Sequence, residues 1–273
     1  MPPHRFRSVS SAAALLCALA LGACATNPPA ADSSNNDPYE SVNRKIWDFD
    51  LALNDYLLTP VARGYRYVTP QFARTAITSA LRNLKSPAIF ANDLMEGNMK
   101  RAGQTLTRIV LNTTVGVGGL YDFAADQKLP YHDADFGATL GSWGVPSGPF
   151  LVLPLLGPSD PRDGIGYGVD SYMDPFNIKM QAARIKDANY IRFGVDTVNG
   201  AALRLDDLDE LRRSSLDFYA AIRSLYQQKR AADVATAKNP DAPVLPSVPY
   251  DEVEPSSPVP SNPPAAAGSA KAK

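Results

Sequence analysis

Few side chains in this sequence could carry covalent or proton-transfer chemistry. The chain has two cysteines and two histidines. Cys17 and His4 fall in residues 1–23, whose layout is that of a secretory signal: Arg5 and Arg7, an apolar stretch from Ala12 to Ala20, then small residues. That apolar part is about half the ~20 residues a spanning helix needs. Cys24 closes the tetrapeptide Leu21-Gly22-Ala23-Cys24, which resembles the bacterial lipobox, where the thiol takes a diacylglycerol and the chain is cut just before it. The mature chain is therefore expected to start at Cys24 and to be held at a membrane by acyl chains, each buried methylene contributing about 0.8 kcal/mol. Ala25, where an Asp would retain an enteric-type lipoprotein at the inner membrane, favours the outer membrane. The alternative is an ordinary secreted protein with a cysteine beside its cleavage site.

Removal of the signal leaves no cysteine pair for a disulfide and only His132 as a general base. A membrane-bound hydrolase could use His132 with one of the serines, but no Gly-x-Ser-x-Gly elbow occurs, and Pro130-Tyr131-His132-Asp133 reads as a polar surface turn. One histidine is too few for a zinc site, and the carboxylates around Asp133, Asp135 and Asp206 to Glu210 lack the spacing of a calcium loop. Asp135-Phe136-Gly137 matches the kinase magnesium triplet without any of its partners, and Gly116-Val117-Gly118-Gly119 lacks the third glycine of a dinucleotide loop. The sequence thus calls for no metal and no cofactor. A net charge of −1 gives no footprint for nucleic acid. Binding or transport is the expected class, not catalysis.

The elements that would position these residues read as helical. Residues 24–36 form a small, polar, proline-containing tether, and 231–273 a disordered tail of Pro, Ala, Ser and Val. Between them, 37–230 is expected to be one all-α domain of many short helices. Asp37-Pro38-Tyr39-Glu40 reads as a helix start with an Asp N-cap, followed by Val42, Ile46, Phe49, Leu53 and Leu57 at helical spacing. Pro60 and Pro70 are expected to break the following segments, and Ser86-Pro87 to cap a third helix. Further helices are expected near 99–112 and 188–230. The middle departs from this pattern: 135–149 is glycine-dense, and Phe150 to Leu156 is an apolar run interrupted by Pro154. That run fits either a buried hairpin or a segment touching lipid.

Five segments in this order resemble the MlaA (VacJ) family of outer-membrane lipoproteins. They are 37–44 (Asp-Pro-Tyr-Glu-Ser-Val-Asn-Arg), 112–122, 135–145 (Asp-Phe-Gly-Ala-Thr-Leu-Gly-Ser-Trp-Gly-Val), 148–154 and 157–163 (Gly-Pro-Ser-Asp-Pro-Arg-Asp). One departure is Ala80-Leu81, where the family often has Asn-Phe. The resemblance implies a ring-like helical protein on the periplasmic face of the outer membrane. It would draw misplaced phospholipid from the outer leaflet through an amphipathic channel and pass it to a periplasmic lipid-carrier protein, in association with trimeric porins. On that basis Leu81, Asn83, Leu84, Phe136, Leu140 and Trp143 are candidates for the lipid path. Gly144, Phe150, Leu151, Val152, Leu153, Pro154 and Gly157 are candidates for a hairpin that moves as a gate. A porin-associated scaffold without a lipid path is the alternative.

Overall fold

A computed structural model describes residues 36–185, 187–239 and 241. The signal, Cys24, most of the tether and the tail from 242 onward lie outside the described residues.

The fold is all-α, with helices longer than the prolines suggested. α1 (Glu40–Leu53) runs through a π-helical turn (Asn54–Leu58) into α2 (Thr59–Val68). Pro60 sits in the first turn of α2 instead of ending the helix. It has no N–H to give, and its ring crowds the carbonyl one turn back. The wider turn, in which Thr59 N–H reaches Asn54 O, accommodates it. In the same way α3 (Gln71–Met95) continues through Pro87, where a cap was expected. Ser79, Ser86, Ile89 and Asp93 form one buried face along this helix, and Ser86 Oγ donates to Arg82 O in the turn before the proline. Continuous packing outweighs a local cost of about 3 kcal/mol.

α4 (Met99–Thr114) follows after Asn98, whose side chain accepts from Arg101 N–H as an N-cap. Then come α5 (Phe123–Asp126), α6 (Phe136–Ser142), a two-stranded antiparallel hairpin and α7 (Pro161–Met173). The hairpin pairs β1 (Leu151–Leu153) with β2 (Gly157–Ser159) in the register Leu151↔Ser159, Val152↔Pro158 and Leu153↔Gly157. α8 (Pro175–Ala182), α9 (Ala188–Ser214) and α10 (Phe218–Lys238) complete the described chain.

These elements touch in a closed circuit: α2 against α9, α9 against α3, α3 against α6, α6 against α10, α10 against β2, and β1 back against α1. Apolar cores are small. Phe150, Val152 and Tyr219 form one, and Ala62, Ala202 and Leu205 another. Polar groups provide much of the remaining cohesion. Asp37 is not the helix N-cap expected from the sequence. It is buried and accepts from Asn43 Nδ2 (2.7 Å), Arg223 Nη1 (3.0 Å) and the Tyr219 hydroxyl, tying the start of α1 to α10. Asn43 also bonds both sides of the β1 backbone, through Phe150 O and Val152 N–H. α6 and α7 cross with Gly166 against Gly137, where an added Cβ on Gly166 would lie 2.4 Å from the Gly137 nitrogen.

The C-terminal boundary expected at 231 is corrected: α10 continues to Lys238, burying Thr236 and Ala237. Ala231, Ala232, Ala235 and Ala237 are strong helix formers, and Val234 packs where Gly141 leaves room. Deleting 242–273 should leave the thermal midpoint unchanged. Deleting from 231 onward should lower it by on the order of 5 °C, since each kcal/mol shifts a domain of this size by about 2–4 °C. Thermal unfolding of the two truncations checks this.

Candidate functional site

The ordinary distribution of side chains is inverted over much of this molecule. Among the largest fully buried side chains are Asn43, Asn92, Thr139 and Asp93, with Ile89 the apolar member of that group. α4 shows the inversion on a single helix. Its inward face carries Arg101, Thr105, Arg108 and Asn112, all buried. Its outward face carries Met99, Leu106 and Val110, which are about half exposed or more. The inward polar groups are satisfied. Arg108 donates from Nη2 to both oxygens of Asp122 (2.9 and 2.7 Å) and from Nη1 to Leu129 O, and Asn112 bridges Asp122 and Ala124 N–H. A helix with a hydrogen-bonded polar inner face and an apolar outer face suits a solvent less polar than water. No helix among the described residues is long and apolar enough to cross a membrane.

Between α1 with its π turn, the hairpin turn and α9 lies an open cavity of about 570 Å³. The end of α1 and the π turn supply Trp47, Leu51, Leu57 and Leu58; α9 supplies Phe193, Gly194 and Val198; the hairpin turn supplies Leu155 and Leu156. Its polar groups are few: Asp50, Asp55, Asp209 and Arg212 carry the charges in the lining. Arg212 Nη1 donates to Asp55 (2.9 and 3.1 Å), joining α9 to the π turn. Asp50 Oδ1 accepts from Leu155 N–H (2.9 Å), while its buried Oδ2 has no partner. The turn it holds is strained, because Leu155 is a non-glycine residue at φ +69. The site is thus an apolar hollow with a small charged cluster in its wall, the usual composition of a small-molecule pocket.

Of the residues singled out from sequence, Gly157 lines this cavity, beside Leu155 and Leu156. Phe150 and Val152 are buried against Tyr219, Leu151 and Leu153 are half-buried, Pro154 is exposed at the turn, and Gly144 takes a positive φ after α6. Leu81, Asn83, Leu84, Phe136, Leu140 and Trp143 lie outside the lining. Asn83 Nδ2 donates to Thr113, and Trp143 stacks edge-on against Phe136 and donates to Met95 O. Sequence reasoning missed Trp47, Phe193 and Arg212. Helical periodicity marks apolar positions but does not tell a packed face from one that lines a hollow.

His132 is not at the surface. It is buried, with Nε2 2.9 Å from Asp93 Oδ1 and 3.5 Å from Thr105 Oγ1, and Thr105 itself donates to Asp93 (2.7 Å). A hydroxyl–imidazole–carboxylate relay needs its acid and its nucleophile on opposite ring nitrogens. Here both partners meet the same nitrogen, so the trio ties α3 and α4 to the 130–133 segment and is not arranged as a relay.

An all-α domain that buries polar groups, turns apolar side chains outward and holds an apolar hollow belongs to the class of membrane-associated helical proteins. The chain is a member of the MlaA lipoprotein family, whose profile matches residues 35–233. It is 36% identical over 220 residues to the "Intermembrane phospholipid transport system lipoprotein MlaA" of Haemophilus influenzae, covering 79% of this chain and 86% of that one. The Escherichia coli protein of the same name is 31% identical over 241 residues, with 83% and 93% covered. An uncharacterized Rickettsia felis protein is 32% identical over 203 residues, with 74% and 80% covered. The fold also matches a solved chain described as "Structural basis for maintenance of bacterial outer membrane lipid asymmetry". That match has a TM-score of 0.63 and 33% identity, over 72% of this chain and 98% of that one.

Proposed function

We propose that this protein is an outer-membrane lipoprotein that removes misplaced phospholipid from the outer leaflet and passes it to a periplasmic carrier, without catalysis. The observation that carries this reading is the apolar hollow with a charged wall, set among helices whose outer faces are themselves apolar. A phospholipid leaving a bilayer must keep its chains out of water while its headgroup stays solvated. A path at bilayer depth with apolar and charged walls meets both needs. The relatives named for intermembrane phospholipid transport, and the solved chain described for outer-membrane lipid asymmetry, support the same reading. Trimeric porins as neighbours, and a hairpin that opens and closes over the hollow, extend it. Leu155 and Leu156 stand at the cavity wall on the strained turn held by Asp50, a natural place for such motion.

Acylation at Cys24 would hold the domain at the membrane. A strain lacking the protein should accumulate phospholipid in its outer leaflet, and wild type should restore asymmetry. Cys24→Ser, which removes the acylated thiol, should fail to restore it and should yield a mature form without acyl mass on its N-terminal peptide. Unchanged outer-leaflet phospholipid in the deletion strain would overturn the proposal.

A further inference from the structure

The charged cluster in the cavity wall has a composition that an acyl-chain path does not require. Resting on the phospholipid reading above, we infer that Asp55, Asp209 and Arg212 select the headgroup, favouring zwitterionic phospholipids that end in an ammonium over anionic ones.

The cavity sets where a headgroup would sit. The open hollow of about 570 Å³ lies within the range of sites that hold a small lipid-like ligand, and its apolar wall suits an acyl chain. With a chain against Leu51, Leu58, Val198 and Phe193, the headgroup lies by the charged residues of the same wall. The charges there are unequal. Asp50, Asp55 and Asp209 stand against Arg212 within the lining and Arg63 just outside it, an excess of one carboxylate. A headgroup with net negative charge meets an excess of carboxylates, whereas a zwitterion offers each side a partner.

The existing contacts leave room for that exchange. Among the described residues, Arg212 bonds Asp55 through Nη1 alone, so Nη2 and Nε remain for a phosphate. The Arg212–Asp55 pair is about half exposed (48% and 37%), and the Asp209–Arg63 contact is long, at 3.4 Å, and more exposed still. Exposed pairs of this kind are held weakly. Asp55 can therefore share its bond to Arg212 with an ammonium, Asp209 can turn toward the same ammonium, and the freed donors of Arg212 meet the phosphate. The partly hydrated setting also bounds the effect: selectivity of about threefold is expected, in keeping with exposed ion pairs, not the large factors of a closed site.

The test uses the full-length protein, purified and incubated with vesicles of phosphatidylethanolamine and phosphatidylglycerol in equal amounts. The protein is then re-isolated, and bound lipid is quantified by mass spectrometry. Wild type should retain the zwitterionic lipid in about threefold excess. Asp55→Asn with Asp209→Asn should bring the ratio close to that of the vesicles while lipid is still bound, and Arg212→Gln should lower retention of both lipids. Circular dichroism and the thermal midpoint establish that each variant is folded. Lipid bound by wild type at the vesicle ratio overturns the headgroup inference and leaves the transport reading standing. Failure of folded wild type to retain any lipid overturns both. Retained selectivity in the folded double variant overturns the assignment to these residues.

Discussion

Arg230→Met is expected to destabilise the domain by about 3–5 kcal/mol, the effect of removing one partner from a buried ionic cluster. Arg230 lies on α10 and donates from Nη1 and Nη2 to the two oxygens of Asp135 (2.7 and 3.0 Å) and from Nη2 to Asp163 Oδ1 (2.6 Å). It thereby clamps α6 and α7 to α10 at the glycine crossing, where Gly137 admits the Asp163 carboxylate and the guanidinium close to its backbone. Without the guanidinium, two carboxylates are left facing each other in a partly buried space. The cluster also sets a pH dependence. Burial raises the Asp135 carboxyl, but the hydrogen bonds and charge of Arg230 outweigh it and hold the group at about 2, below its ordinary value of 3.8. A depressed acid stabilises the fold above its unfolded pKa, so this contribution is complete above about pH 4 and is lost as pH falls toward 2. Denaturant unfolding of wild type and Arg230→Met at pH 7 and pH 3 measures both effects. The difference between the two proteins should shrink at the lower pH.

Leu106→Asp combined with Val110→Asp should release the domain from bilayers while leaving it folded. Both side chains lie on the outer face of α4, 48% and 52% exposed, so neither substitution opens a cavity in a core. In a membrane each aspartate would sit in apolar surroundings at a cost of up to about 2.5–3.5 kcal/mol at full depth. Together they should reduce partitioning of the unacylated domain onto vesicles by two orders of magnitude or more, with a thermal midpoint in solution close to that of wild type. Vesicle flotation of the Cys24→Ser background, with and without the two aspartates, gives the comparison. Equal flotation would mean that this face does not meet lipid.

The helical class and the order of the segments were legible in the sequence, because the three-to-four spacing of apolar residues survives whichever way the helix faces. What that spacing could not convey was which side is inward. On α1 and the π turn after it, Val42, Phe49 and Leu57 read as core positions, yet all three are exposed, and the buried residue of α1 is Asn43. Pattern reasoning assumes that apolar side chains point inward, and here they do not. The prolines misled for a second reason. On local grounds Pro60 reads as a breaker and Ser86-Pro87 as a new helix start, whereas a π turn and a long packed face allow the helices to continue. His132 looked like a surface residue because its sequence neighbours are polar. Its burial comes from Asp93, 39 positions away on α3. The cavity draws on residues from 47 to 218, a distance that no local motif spans, and Gly157 was the one sequence candidate to fall in its wall.

The central claim is that phospholipid passes through this cavity, and the variant that addresses it most directly is Gly194→Trp. Gly194 lines the hollow from within α9, and an added Cβ there meets nothing within 4 Å. Tryptophan is also a better helix former than glycine by about 0.5 kcal/mol, so the variant should fold at least as well as wild type. Its indole would occupy the space needed by an acyl chain. The decisive measurement is outer-leaflet phospholipid in a deletion strain complemented with Gly194→Trp, with the protein's amount, acylation and thermal midpoint checked against wild type. The account predicts a folded, acylated protein that leaves phospholipid in the outer leaflet at the level of the deletion strain. Full restoration of asymmetry by that same folded variant would contradict it.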